Sequence, residues 1–246
     1  MDVFSPPGLD CRPRRLGRLH VLRHTLLQKG PDDAGSLIRP VCYAMKRERL
    51  THAQRRDLTR ERLLEAARKM FVKKGLAATS VEDIAEAAGY TRGAFYSNFH
   101  GKPGLLLELV RRDHDNAQVD LRAIMDEGGT PEEVTTRAIV CYSRYYRDQE
   151  CFLLWVEAKL LAYRDTAFQE RFTVFRYEKL NQISAYIRTA SERAGRQLPL
   201  QADALALGLV SRLDGVEFSR MCDPQTASDK VMQNVLAGFL SCVLWR

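Results

Sequence analysis

From residue 57 onward, apolar positions recur at helical spacing, and no stretch alternates with period two for long enough to make a strand. Leu63, Leu64, Ala67, Met70 and Phe71 share one face of a first helix. The pattern places Thr59 at its N-cap, Glu61 near its positive end, Lys73 and Lys74 at its negative end, and Gly75 at its stop. Val81, Ile84, Ala85 and Ala88 then follow the i, i+3, i+4, i+7 rule in a short second helix, with Ser80 as cap and Asp83 at its third position. Gly89 ends it. Tyr90–Phe99 form a third helix before a break at His100–Pro103. Longer amphipathic stretches follow at Pro103–Glu127, Pro131–Asp148, Cys151–Tyr163, Ala167–Ala194, Gln201–Met221 and Thr226–Trp245. Gly128, Gly129, Gly195, Pro199 and Pro224 punctuate them. The expected class is all-α, three short helices and then six longer ones, with no repeat of solenoid period.

Residues 1–45 do not share this pattern. Pro6, Pro7, Pro13, Pro31 and Pro40 alternate with Gly8, Gly17, Gly30 and Gly35, which favours turns or disorder. Helical character begins directly after Met45, at Lys46, Arg47, Glu48 and Arg49. Two explanations stand for the segment: a disordered basic extension, or a mis-assigned upstream start. The expected organisation is therefore residues 1–45 as this segment, 46–110 as one domain and 111–246 as another.

Composition narrows the class. Of 246 residues, 45% are hydrophobic and 28% charged, enough apolar material to bury a core. The run Leu16–Leu27 is broken by Arg18, His20, Arg23 and His24, so it fits neither a membrane span nor a secretory core. The six cysteines form no C-x-x-C pair and have no histidine at metal-ligand spacing. Buried free thiols in a reducing, cytoplasmic compartment are expected, with no metal and no cofactor. The net charge of +7 divides as +3 over residues 1–45, +7 over 46–112 and −3 over 113–246. A basic segment ahead of an acidic remainder fits a polyanionic partner, and equally a basic solvated face.

The informative unit is Ser80–Phe99. Two short helices that cross at ~90–120° need small residues at their contact, and Ala85, Ala87, Ala88 and Gly89 are expected to supply them. Phe95 and Phe99, four apart, mark the packing face of the third helix. Arg92, Gly93, Tyr96 and Ser97 then point away from it. They can carry charge, hydrogen-bond or, at Gly93, let the backbone come close, as a helix in a major groove must. An αα-corner in a helical enzyme with a polar surface has the same pattern.

The run Thr79-Ser-Val-Glu-Asp-Ile-Ala-Glu-Ala-Ala-Gly-Tyr-Thr-Arg-Gly-Ala-Phe-Tyr-Ser-Asn-Phe-His-Gly-Lys resembles the DNA-binding signature of the tetracycline-repressor (TetR/AcrR) family. So does Arg62-Leu-Leu-Glu-Ala-Ala-Arg-Lys-Met-Phe-Val-Lys-Lys-Gly. The detailed likeness covers about residues 57–110. It implies a three-helix DNA-binding domain with a helix-turn-helix, followed by a larger six-helix ligand-binding and dimerisation domain. It also implies a bacterial, cytoplasmic, homodimeric repressor, released from a palindromic operator on double-stranded DNA by a small-molecule ligand. An activator or a ligand-independent regulator with the same DNA-binding domain is the alternative.

By this resemblance Arg92 and Gly93 approach base edges, and Arg92 is suited to guanine O6 and N7. Tyr96 meets the phosphate backbone or a thymine methyl. Thr91, Ser97, Asn98 and Lys102 contact phosphates, and Ser80 both caps its helix and donates to a phosphate. Asn98 stands where the family often has histidine. Glu82 stands where some members carry a basic base-reader; it either accepts from cytosine N4 or complements its helix dipole.

Residues 113–246 offer no catalytic constellation. Their only histidine is His114, Ser143, Ser184 and Ser211 sit in no nucleophile elbow, and no Gly-rich phosphate loop appears. No enzymatic activity is expected. The family's pocket lies among the middle helices, which makes Tyr142, Trp155, Glu157, Phe172 and Phe175 the candidate ligand contacts. Core packing explains most such aromatics, and a salt bridge to an arginine is the plainer role for Glu157. The last two helices resemble the family's dimer interface. Its candidates are Leu205, Leu209, Leu213 and Val216 on one stripe, and Val231, Val235, Leu236, Phe239, Leu240 and Val243 on the other.

Overall fold

The computed structural model describes residues 51–195, 197–225, 228, 230–231, 234–235 and 238, with the side chains of 131, 132, 135, 139, 142, 143 and 146 outside that description. The expectation for residues 1–45 therefore lies outside the described residues. Among the described residues eight continuous helices run in order: α1 (His52–Lys74), α2 (Val81–Ala87), α3 (Arg92–Tyr96), α4 (Lys102–Glu127), α5 (Pro131–Arg147), α6 (Gln149–Arg164), α7 (Thr166–Ala194) and α8 (Ala202–Cys222). No strand occurs among the described residues. Of the expected last helix, Lys230, Val231, Asn234, Val235 and Gly238 are helical and most of the remainder lies outside the description.

Two helices differ from the sequence expectation in an instructive way. α1 begins not at Thr59 but eight residues earlier, because Thr51 and Gln54 form a reciprocal capping box, Thr51 Oγ1 accepting from the Gln54 N–H at 3.2 Å. Thr59 lies inside the helix, where its hydroxyl donates to the Arg55 carbonyl, 2.8 Å away. Glu61 accordingly sits in mid-helix and pairs with Arg112 at 2.6 Å instead of facing a helix terminus. α3 is shorter than expected, because Thr91 caps it and the Tyr90 N–H bonds back to the Ala85 carbonyl, closing the turn.

One buried cluster joins the short and the long helices. Leu63, Leu64, Ala67 and Phe71 of α1 meet Ile84, Phe95, Phe99 and Leu105–Leu106, and continue to Phe152, Leu154 and Trp155 of α6 and Phe168, Phe172 and Phe175 of α7. α4 contributes to this cluster along its first two turns, so the expected boundary at 110/111 falls within one continuous helix. Charge ties reinforce the apolar contact. Arg68 of α1 pairs with Asp113 of α4 and donates to Cys151 Sγ of α6, and Arg60 reaches Glu108 at 3.2 Å. Cys151 and Cys141 are half-buried free thiols and Cys222 is an exposed one, so the expectation of buried thiols is corrected for these three. No described helix is long and apolar enough to cross a membrane.

Candidate nucleic-acid interface

The interface is built from the caps of α2 and α3. Ser80 Oγ accepts from the Asp83 N–H at 3.0 Å, and the Asp83 carboxylate accepts from the Ser80 N–H at 2.8 Å. Lys74, 2.6 Å away, and then Ser80 hold the Asp83 carboxyl well below the usual carboxylate range. Gly89 ends α2 at φ +75, a left-handed conformation that favours glycine. A Cβ there would meet nothing within 4 Å, so conformation rather than close packing explains it. Of the expected small contact residues, Ala85 is buried beside Ile84 and Ala88 packs half-buried against the core, whereas Ala87 and Gly89 are exposed.

α3 separates its faces cleanly. Phe95 and Phe99 are buried with ring centroids 5.8 Å apart. Arg60 closes over Phe99 at 4.3 Å and donates to the Asn98 carbonyl at 2.9 Å. Opposite them, Thr91, Arg92, Gly93, Tyr96 and Ser97 are exposed, Tyr96 to 46%. Arg92 lies over the Tyr96 ring at 5.5 Å and pairs with Glu82 of α2 at 2.8 Å. The Tyr96 hydroxyl and the Glu82 carboxylate push the Arg92 guanidinium further above its ordinary value. Glu82 therefore belongs to this surface, through Arg92.

Three of the expected phosphate contacts spend their donors on backbone carbonyls, Ser97 while staying exposed and Asn98 and Lys102 at half-buried positions. Ser97 Oγ donates to the Gly93 carbonyl at 2.9 Å, and Asn98 Nδ2 to the Ala94 carbonyl at 2.8 Å. Lys102 Nζ donates to the Leu76 carbonyl at 2.8 Å and to the Thr79 carbonyl. Its ammonium thus neutralises the carbonyl dipoles of the turn between α1 and α2. Thr91 Oγ1 accepts from the Ala94 N–H at 3.3 Å and remains at the surface, as does Ser80.

Among α4, α5, α6 and α7 lies a cavity of about 60 Å³ lined by Val110, Asp113, His114, Ala117, Tyr145, Cys151, Phe152, Trp155 and Lys179. Trp155 is the one expected ligand contact found there. Glu157 is not: its carboxylate accepts from the Leu76 N–H at 3.2 Å, on the far side of α6. Phe172 and Phe175 form a ring cluster with Trp155, at 5.2 and 6.1 Å, and pack as core without lining the cavity. The Tyr142 side chain lies outside the described residues.

Lys179 and His114 were not among the expected contacts. The signal was present: Lys179 interrupts the α7 stripe of Phe168, Phe172, Phe175 and Ile183, a cation at a core position. Burial pushes its ammonium down to about 8, and burial together with the Lys179 charge pushes His114 down to about 4. His114 Nε2 lies 2.9 Å from Gln182 Oε1; the neutral imidazole there donates from Nε2.

The expected dimer stripe on α8 is divided. Leu205 and Leu213 are buried within the protomer, and Leu209 and Val216 half-buried. The apolar residues that α8 exposes are instead Leu207, Phe218 and Met221, followed by Val231. Packing against α7 takes the expected stripe inward and leaves the neighbouring face out. Val235 is half-buried; Leu236, Phe239, Leu240 and Val243 lie outside the described residues. No cluster of His, Cys, Asp and Glu among the described residues is grouped to hold a metal.

A family pattern described as bacterial regulatory proteins, tetR family, matches residues 63–109. The HTH-type transcriptional repressor KstR2 of Mycobacterium tuberculosis is 40% identical over 74 residues, 30% of this chain and 37% of that protein. The chain spans about a third of the length of the curated relatives it matches. Among solved structures, a putative TetR-family transcriptional regulator from Rhodococcus sp. superposes with a TM-score of 0.65 at 20% identity, covering 76% of this chain and 99% of its own. A SmeT–triclosan complex superposes with a TM-score of 0.61 at 25% identity, covering 76% and 91%.

Proposed function

Because the chain belongs, through its DNA-binding domain, to the tetR family of bacterial regulatory proteins, we propose that it is a sequence-specific DNA-binding repressor, acting as a cytoplasmic homodimer that a small-molecule ligand releases from a palindromic operator. The observation that carries this reading is the two-faced α3. Phe95 and Phe99 anchor it from behind, while Arg92, Gly93 and Tyr96 stand exposed on a basic segment. Arg92 reads a base edge, Thr91, Ser80 and Tyr96 meet phosphates, and Lys102 shapes the turn that presents α2. Residues 46–110 form the reading domain in this account and 111–246 the sensing domain, with α4 common to both.

A five-residue α3 reads only a few base pairs, so two-fold symmetry is needed to double the site. The exposed Leu207, Phe218 and Met221 on α8, continued by Val231, supply an apolar face for that pairing. The repressor naming of KstR2 and the triclosan complex of SmeT support negative control and ligand response. Regulation is then a shift of population between a DNA-competent spacing of the two reading domains and another that the ligand favours.

Selection of bound genomic fragments by the full-length protein, followed by footprinting, tests the reading. The expected result is a protected palindrome whose half-sites lie about one helical turn, or a multiple of it, apart. Protection spread evenly over unrelated DNA would replace it with non-specific binding.

A further inference from the structure

α3 is too short to hold its own pose. A helix of five residues closes few hydrogen bonds of its own, so its position depends on what grips its two ends. Thr91 grips the first, its Oγ1 accepting from the Ala94 N–H at 3.3 Å. At the other end, Ser97 and Asn98 satisfy the Gly93 and Ala94 carbonyls from within the segment. The Asn98 carbonyl is gripped from outside, by Arg60 of α1, whose Nη1 donates to it at 2.9 Å.

Arg60 is itself fixed on two further sides. Its Cζ lies 4.3 Å from the centre of the Phe99 ring, and its Nη2 pairs with Glu108 of α4 at 3.2 Å. The second oxygen of Glu108 accepts from Arg112 Nε at 3.1 Å, one turn further along α4. Arg112 Nη1 then returns to Glu61 of α1 at 2.6 Å. The four side chains alternate in sign and cross twice between α1 and α4. All but Glu61 are half-buried.

We infer that Arg60 is a positioning residue for the reading helix: its guanidinium fork fixes the C-terminal end of α3 to α4 through Glu108. Resting on the sequence-specific reading above, this assigns a part in DNA recognition to side chains that touch no DNA. An arginine beside a reading helix ordinarily serves as a phosphate contact. Arg60 instead has both Nη groups engaged within the protein, a ring against its flat face, and a carboxylate that offsets its charge toward a phosphate. Lysine would keep the charge and lose the fork. Arg92 sits at the opposite end of the same short helix, and its two hydrogen bonds to one guanine must form together. A helix free to tilt at Asn98 loses that pairing before it loses contact with phosphates.

The full-length protein, the genomic fragment it selects and a scrambled duplex of equal length supply the test. Arg60→Met is expected to weaken fragment binding at least tenfold and scrambled binding little, with the slope of log affinity against log salt unchanged. Arg60→Lys is expected not to restore the preference for the fragment. A slope reduced by about one unit, equal losses on both duplexes, or full recovery with lysine would make Arg60 a phosphate contact and overturn the inference. A lowered Tm with the preference intact would make its role structural only, and overturn it equally.

Glu108→Ala adds a test of sign, and decides alone if Arg60→Met does not fold. Removing an acid near a polyanion ordinarily strengthens binding to all DNA. Loss of positioning instead weakens fragment binding at least threefold, and a gain on both duplexes counts against the inference. Amide hydrogen exchange without DNA keeps the two readings separable. The Ser97, Asn98 and Phe99 N–H groups bond to the Gly93 and Phe95 carbonyls at 2.9–3.0 Å, not to Glu108. In Glu108→Ala they are expected to exchange at least tenfold faster, and unchanged exchange overturns the inference. Faster exchange in a protein that selects no fragment refutes only the repressor; a selected fragment with exchange and preference both unchanged refutes only the positioning role.

Discussion

The Glu157 carboxylate accepts a hydrogen bond from the Leu76 backbone N–H at 3.2 Å, tying α6 to the turn that leads into the helix-turn-helix. The Leu76 carbonyl, in turn, accepts from Lys102 of α4 at 2.8 Å. Both backbone groups of one turn residue are thus satisfied by side chains from the longer helices. The fit is close: a Cβ on Gly75, at φ +80, would come within 2.9 Å of Glu157 Oε1.

Removing that acceptor leaves a part-buried N–H unpaired, at a cost of about 1 kcal/mol. For a chain of this size Glu157→Ala should lower Tm by roughly 2–4 °C. Glu157→Gln retains an oxygen at the same reach and should recover most of the loss. Thermal unfolding of the three proteins checks this, and equal losses in both variants would assign the effect to packing instead of the hydrogen bond.

Lys102 offers a sharper discrimination. A lysine on a DNA phosphate contributes about one unit to the slope of log affinity against log salt. A lysine spent on the carbonyls of Leu76 and Thr79 contributes to the shape of the turn and little to that slope. Lys102→Met should therefore weaken binding to every DNA sequence and lower Tm, with the salt slope unchanged. A slope reduced by one unit would return Lys102 to the phosphates.

Which features the sequence disclosed follows from the range of the forces involved. Periodicity and caps are local, so α2, α4, α5, α6 and α7 lie within two residues of their expected ends. The two faces of α3 were legible for the same reason, because Phe95 and Phe99 are one turn apart. Long-range pairings were not. Nothing near Glu157 in sequence points to Leu76, 81 residues away, and its place in an apolar stretch looks the same whether it faces a ligand or a backbone amide. Thr59 misled because a threonine before an apolar run fits both an N-cap and an interior residue, and the decisive Thr51–Gln54 box lay upstream. Lys179 was overlooked although its helical register placed it on a core face.

His114 gives stability a pH dependence of known sign. In the folded protein burial and the Lys179 charge lower it to about 4, whereas an unfolded histidine titrates near 6.5. Between those values the unfolded chain binds more protons, so stability rises with pH through this window and levels above it. Denaturant titrations from pH 7 down to 4 should show a loss that His114→Gln reduces. The same loss in that variant would place the titrating group elsewhere.

Under the proposed function, the pair of Arg92 and Glu82 sets how strictly DNA is read. Arg92→Ala should weaken binding to the selected operator by the ~1–3 kcal/mol of a bidentate guanine contact, and binding to unrelated DNA far less. An equal loss on both would make Arg92 a phosphate contact. Glu82 opposes it: its carboxylate, 2.8 Å from the Arg92 guanidinium, both fixes that side chain over Tyr96 and repels phosphates. An exposed pair of this kind adds little to folding stability, so Glu82→Gln should leave Tm unchanged. Its effect falls on binding, where affinity for unrelated DNA should rise more than affinity for the operator and the ratio between them narrow. Competition titrations with operator and scrambled duplexes at one salt concentration measure that ratio. A ratio that widens in Glu82→Gln would mean that Glu82 does not restrain Arg92 for reading but obstructs it.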